Sequence, residues 1–98
     1  MNLEKSKKRI AKKIKMGFQG YPEISIAYFG STINIAEQVA VSFVAEQGAE
    51  AMEERFHSKS DAREDQVIQS AIVKMIERSE ANTVRQTEGV GVGKPLVS

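Results

Sequence analysis

The chain opens on a helical repeat. At 100° per residue Leu3, Ile10, Ile14 and Phe18 fall within one narrow stripe, with Ala11 at its edge, and this predicts a helix over Leu3–Met16. Lys5, Lys8, Arg9, Lys12, Lys13 and Lys15 cover the opposite side. Lys7 intrudes on the stripe, where its aliphatic stem can lie along apolar surface with the ammonium in water. Like charges at i, i+3 and i+4 repel on an isolated helix, so the helix is expected to depend on docking its apolar stripe onto the body.

Gly17, Gly20 and Pro22 end that helix. The period then changes from 3.6 to 2. In Glu23–Phe29, Ile24, Ile26 and Tyr28 alternate with Ser25, Ala27 and Phe29, a strand pattern followed by the turn residues Gly30-Ser31-Thr32. Gln38–Ala45 alternates again, with Val39, Val41 and Phe43 on one face. A helix competes for this stretch, because Asn34 and Glu37 have capping-box spacing and Gly48 would close it. The β-branched residues, which crowd the preceding helical turn, favour the strand. Glu50–His57 fits either an edge strand or one helical turn.

Asp61 and Glu64, with Ser60 before them, form a D-x-x-E helix start, and Val67, Ile68, Ala71, Ile72, Met75 and Ile76 make a wide apolar stripe. This predicts a core helix over 61–81, with Asn82 as its carboxyl cap. Thr83–Thr87 reads as a short last strand and residues 89–98 as a flexible tail. The expectation is one α+β domain over 1–88 in the order α-β-β-(β)-α-(β). Its two layers are an antiparallel sheet of three to four strands and the two helices. The uncovered sheet face keeps enough Val, Ile and Phe to suggest a homodimer through sheet faces or edges.

Charge sharpens this picture. Of fourteen Lys and Arg residues, seven lie in the first sixteen positions against one acid, Glu4; that segment carries +6 and the remainder −5, for a net +1 over 98 residues. A basic head on an acidic body attracts polyanions or acidic surfaces. The chain has no cysteine, which excludes disulfides, thiol nucleophiles and Cys-ligated metal centres and suits a reducing compartment. No run reaches the ~20 apolar residues of a membrane span, and no apolar segment follows the basic start as in a secretory signal, so a cytoplasmic protein without membrane contact is expected.

Candidate chemistry is sparse. His57 is the one histidine, with Ser58 and Ser60 as sequence neighbours, and reads as a loop residue more readily than as a general base. Asp61, Glu64 and Asp65 have a complete explanation as a capped helix start and lack calcium-loop spacing. Gly89-x-Gly91-x-Gly93-Lys94 lacks both the spacing of a phosphate loop and a following helix. No metal, cofactor or catalytic residue is expected.

The α-β-β-β-α order resembles that of the double-stranded RNA-binding domain. That family places a Lys-rich motif at the start of its second helix. Here the corresponding stretch, SKSDARED, is acidic, with Asp61, Glu64 and Asp65 against Lys59 and Arg63, and the basic residues lie on the first helix. The resemblance stops at element order, and the family is not assigned. The functional expectation is a small non-enzymatic binding module. It takes nucleic acid, RNA or DNA, without sequence preference through Lys5, Lys8, Arg9, Lys12, Lys13 and Lys15, with Phe18, Tyr21 and Phe29 near enough in sequence to stack on bases. The alternative is a protein–protein or homodimeric structural module that docks an acidic surface.

Overall fold

A computed structural model describes residues 2–92. Its elements are α1 (Leu3–Lys15), β1 (Glu23–Gly30), β2 (Gln38–Val44), β3 (Met52–His57), a 3-10 turn (Ala62–Glu64), α2 (Gln66–Ser79) and β4 (Thr83–Val92). The α+β class and the order α-β-β-β-α-β are those read from the sequence. The strands lie β3-β2-β1-β4 across the sheet.

The sequence predicts an antiparallel sheet, but the sheet is not antiparallel throughout. β1, β2 and β3 are antiparallel neighbours, but β4 pairs parallel to β1, so the sheet is mixed. The last connection runs through α2 rather than a tight turn, and a helical crossover returns the chain in the same direction. A register shift in β4 opposite Ile26/Tyr28 precedes its second half, which carries the strand to Val92. Residues 89–92, expected in the tail, are therefore strand; 93–98 lie outside the described residues.

The period-two pattern of β1 becomes strict alternation of burial: Ile24, Ile26 and Tyr28 are buried under the helices and Ser25, Ala27 and Phe29 are half-buried on the open face. Register aligns Ile24 with Phe43, Ile26 with Val41 and Tyr28 with Val39, so the helix-side residues of β1 and β2 form one apolar floor. α2 lays Ile68, Ile72, Val73 and Ile76 on it. The buried Tyr28 hydroxyl accepts a hydrogen bond from Gln69 Nε2 at 2.8 Å, which gives each group a partner inside the core.

Asn34–Glu37 does not nucleate a helix. The Glu37 carboxylate instead accepts from the Ser31 N–H and Oγ, at 3.1 and 3.0 Å, and closes the β1–β2 turn. That turn is pinned from the far side, where Ala62 N–H donates to Ala36 O and Arg63 donates to Asn34 O at 2.9 Å. The start of the core helix is also displaced. Asp61 caps the 3-10 turn, and Asp65 caps α2 by accepting from the N–H groups of Val67 and Ile68. α2 closes at Glu80, whose backbone is left-handed at φ 55°, and not at Asn82. Asn82 donates from its side chain to Tyr21 O at 2.7 Å.

Candidate nucleic-acid interface

α1 begins where the Asn2 side chain accepts the Lys5 N–H at 2.8 Å, and Glu4 adds an acid to a first turn that favours one. Lys12, Lys13 and Lys15 fill the last turn, where cations complement the dipole. Gly17, at φ 74°, then takes the chain off the helix axis.

The docked face is narrower and more polar than the sequence stripe. Ile10 and Ser6 are buried, Ile14 and Leu3 are half-buried, and Ser6 Oγ lies 3.4 Å from Ser70 Oγ on α2. Burying a side chain such as Ile10 contributes about 1.5–3 kcal/mol. Phe18, expected on this stripe, lies past the helix end and is 53% exposed, because Gly17 has turned the chain away.

The six basic residues predicted as the binding face divide into two sets. Arg9 forms an ion pair with Glu77 at 2.7 Å, and Lys13 Nζ donates to the Ala81 carbonyl oxygen at 3.0 Å. Lys7, outside the predicted set, pairs with Glu64 at 2.7 Å, and that partner holds its ammonium above the usual lysine range. These three clamp α1 to the body along both flanks; as surface contacts each contributes about 0–1 kcal/mol. Lys5, Lys8, Lys12 and Lys15 are different. They are exposed and make no ion pair among the described residues. By helical geometry they fall within an arc of about 80° directly opposite Ile10, in single file over about 15 Å.

A further group stands past the end of α1, and only part of it is legible in the sequence. The Phe18 and Tyr21 rings meet edge to face at 5.5 Å between centroids, and the Arg85 guanidinium lies 5.5 Å from the Phe18 centroid. Arg85 also forms an ion pair with Glu23. Ile14 and Gln86 wall the grooves on which Lys15, Phe18 and Arg85 open, so an aromatic ring and an arginine continue the lysine file. The three aromatic residues near the basic helix in sequence are thus separated: Phe18 and Tyr21 meet here, while Phe29 lies on the open face of the sheet. Arg85 gives no local signal, since it reaches this place only through the parallel pairing of β4 with β1.

Elsewhere the candidate groups have structural duties. His57 is exposed at the end of β3, and Ser58 Oγ donates to Asp65 at 2.9 Å instead of meeting the imidazole. Asp61 binds Arg63 through both carboxylate oxygens, and that guanidinium pulls its carboxyl down to about 2. Among the described residues no three His, Cys, Asp or Glu side chains gather as a metal would require. No helix among the described residues is long and apolar enough to cross a membrane. Comparison of the chain with protein-family models, with curated proteins and with solved structures returned no match.

Proposed function

We propose that this protein is a non-enzymatic nucleic-acid-binding module that holds phosphates along Lys5, Lys8, Lys12 and Lys15. The observation that carries this reading is the division of the basic helix. Its clamping cations face acids or carbonyls of the body, whereas these four are exposed, make no ion pair among the described residues and fall in one file. A stripe of like charges costs helix stability, about 0.2–0.5 kcal/mol per neighbouring pair, and a polyanion relieves that repulsion. Lysine ammoniums are point charges suited to phosphate oxygens and poorly suited to reading base edges, so binding is independent of sequence. With four contacts the affinity for duplex DNA falls with salt at a logarithmic slope of about −3 to −4. Phe18 and Arg85 favour single strands, whose bases are free to stack. A cytoplasmic setting goes with this reading and with the absence of cysteine.

The test is a fluorescence-anisotropy titration with single- and double-stranded RNA and DNA at low and physiological salt. The wild-type chain is compared with the triple variant Lys8→Glu, Lys12→Glu, Lys15→Glu, whose fold is checked by circular dichroism. Micromolar, salt-sensitive binding by the wild type and its loss in the folded variant support the reading. No binding at low salt, or unchanged affinity in the variant, overturns it. The alternative, a homodimeric or protein–protein module, is carried by a different surface at β3.

A further inference from the structure

We infer that β3 is a self-association edge. Two copies pair their β3 strands antiparallel about a two-fold axis through Glu54, extending the sheet to eight strands and joining the apolar grooves of the two copies on one face. The inference builds on the homodimer reading and is independent of the lysine file.

The two helices leave the β3 edge of the sheet uncovered. α1 packs on α2 and β4, and the buried face of α2 includes Gln69 and Val73, so the opposite flank of α2 is left open. The sequence stripe placed Val67 in the core; instead it is 78% exposed, because α1 rotates the buried face of α2 away from it. Between that flank and the β3 edge runs a groove of about 550 Å³, lined by Ile24, Val41, Phe43, Met52 and Met75, with Glu54 and Arg78 beside them. Met52 lies on the helix side of the sheet yet is 69% exposed.

The main chain of β3 fixes which pairings are allowed. Ser58 N–H donates to Glu37 O at 2.9 Å, and by alternation Met52, Glu54 and Phe56 direct their peptide groups toward β2. Those of Glu53, Arg55 and His57 point out from the edge, so a second strand must set these residues opposite one another. With Glu54 on the axis, Glu53 faces the copy's Arg55 twice on the open face, and Met52 faces the copy's Phe56 twice on the groove side. The intrastrand Glu53–Arg55 ion pair, 2.7 Å in the single chain, becomes a ring of four alternating charges. Moving the axis to Arg55 sets Arg55 against itself, and moving it to Glu53 sets Glu53 against itself. Charged side chains on a sheet edge ordinarily repel other strands. Here their order is complementary to its own reverse, which makes a second copy a matched partner. The one unfavourable contact is Glu54 against its own copy. In this assembly both α1 helices lie on the same side of one sheet, roughly 30 Å apart at six strand spacings.

The experiment is sedimentation equilibrium of the full chain, without nucleic acid, from ~10 μM to ~1 mM, a range matched to a small interface. The mass is expected to rise from 10.8 kDa to twice that value. Arg55→Glu and Met52→Lys each weaken the dimer by about tenfold or more, whereas the swap Glu53→Arg with Arg55→Glu brings its Kd back to within about threefold of wild type. Glu54→Gln, which preserves shape, tightens it by about threefold or more, because only this register brings the two Glu54 side chains together. A wild-type chain that stays at 10.8 kDa at ~1 mM overturns the inference. So does a charge swap as weak as Arg55→Glu alone, or a Glu54→Gln variant no tighter than wild type. Since no variant touches α1, anisotropy on the same samples separates failure of this interface from failure of the nucleic-acid reading.

Discussion

Lys13 Nζ donates to the carbonyl oxygen of Ala81 at 3.0 Å, tying the last turn of α1 to the residue that carries the chain out of α2. Its sequence neighbour Lys12 is exposed and makes no ion pair among the described residues. One residue's step along a helix, about 100°, thus separates a structural lysine from a candidate binding one. Lys13→Ala is expected to lower stability by about 1 kcal/mol and to change polyanion affinity little. Lys12→Ala should leave stability within about 0.5 kcal/mol and flatten the salt dependence of binding by about one unit of slope. Urea denaturation and anisotropy on the two variants read both quantities.

The contact between Asp61 and Arg63 makes the fold acid-sensitive. Arg63 holds the Asp61 carboxyl at about 2, below its ordinary 3.8, and also reaches Asn34 O in the β1–β2 turn. A carboxyl whose folded pKa is depressed contributes stability fully at pH values above its unfolded pKa. That contribution is lost as pH falls from about 4 toward 2. Because the pair is partly exposed, its worth is about 1 kcal/mol. Asp61→Asn should therefore destabilise the chain at pH 7 by about that amount, and the two proteins should converge in urea midpoint near pH 2.

How far the sequence determines this arrangement depends on the range of each interaction. The alternation of Ile24, Ile26 and Tyr28 is the burial pattern of β1, whereas the helix start read at Asp61 is the cap of the 3-10 turn, and Asp65, read inside the first turn, caps α2. The strand at Gln38–Val44 is also correctly favoured, since β-branched spacing outweighs an Asn34/Glu37 box whose carboxylate serves the turn at Ser31. What the sequence hides is set by which elements meet. The exposure of Val67 and the place of Arg85 beside Phe18 follow from α1 and β4 docking on the same half of the domain, and the parallel direction of β4 follows from the α2 crossover. The same holds for the site: the concentration of charge on α1 is plain in the sequence, but its partition into clamping and outward residues depends on Glu64, Glu77 and Ala81, more than fifty residues away.

Glu80 ends α2 in a left-handed conformation at φ 55°, where a side chain is strained and glycine is not. The residue is exposed, so its side chain contributes little that would be lost. Glu80→Gly is expected to stabilise the protein by about 0.5–1 kcal/mol and to raise its thermal midpoint by several degrees. The opposite sign holds at Gly30, where an added Cβ would collide with the Ile35 carbonyl oxygen as the turn folds back. Gly30→Ala should cost about 1–3 kcal/mol, since the obstructing atom is backbone and cannot turn aside. Calorimetry on the two variants checks both signs.

Phe18 offers the sharpest separation of phosphate contact from base contact. Its ring is 53% exposed, carries Arg85 over one side and stands just past Lys15 at the end of the lysine file. A single strand lying along that file can present an unstacked base to the ring, whereas a duplex keeps its bases paired and inaccessible. Stacking on an aromatic side chain contributes about 1–3 kcal/mol per base, so Phe18→Ala should weaken binding of single-stranded RNA or DNA by about 5- to 150-fold. Duplex affinity should stay within about twofold, and the salt slope should not change for either, because no phosphate contact is removed. Arg85→Lys keeps the charge but loses the planar guanidinium that stacks on the ring, and it should reproduce part of the single-strand loss. Equal weakening of single- and double-stranded ligands by Phe18→Ala would instead place the ring in support of α1 and leave binding to the lysines alone.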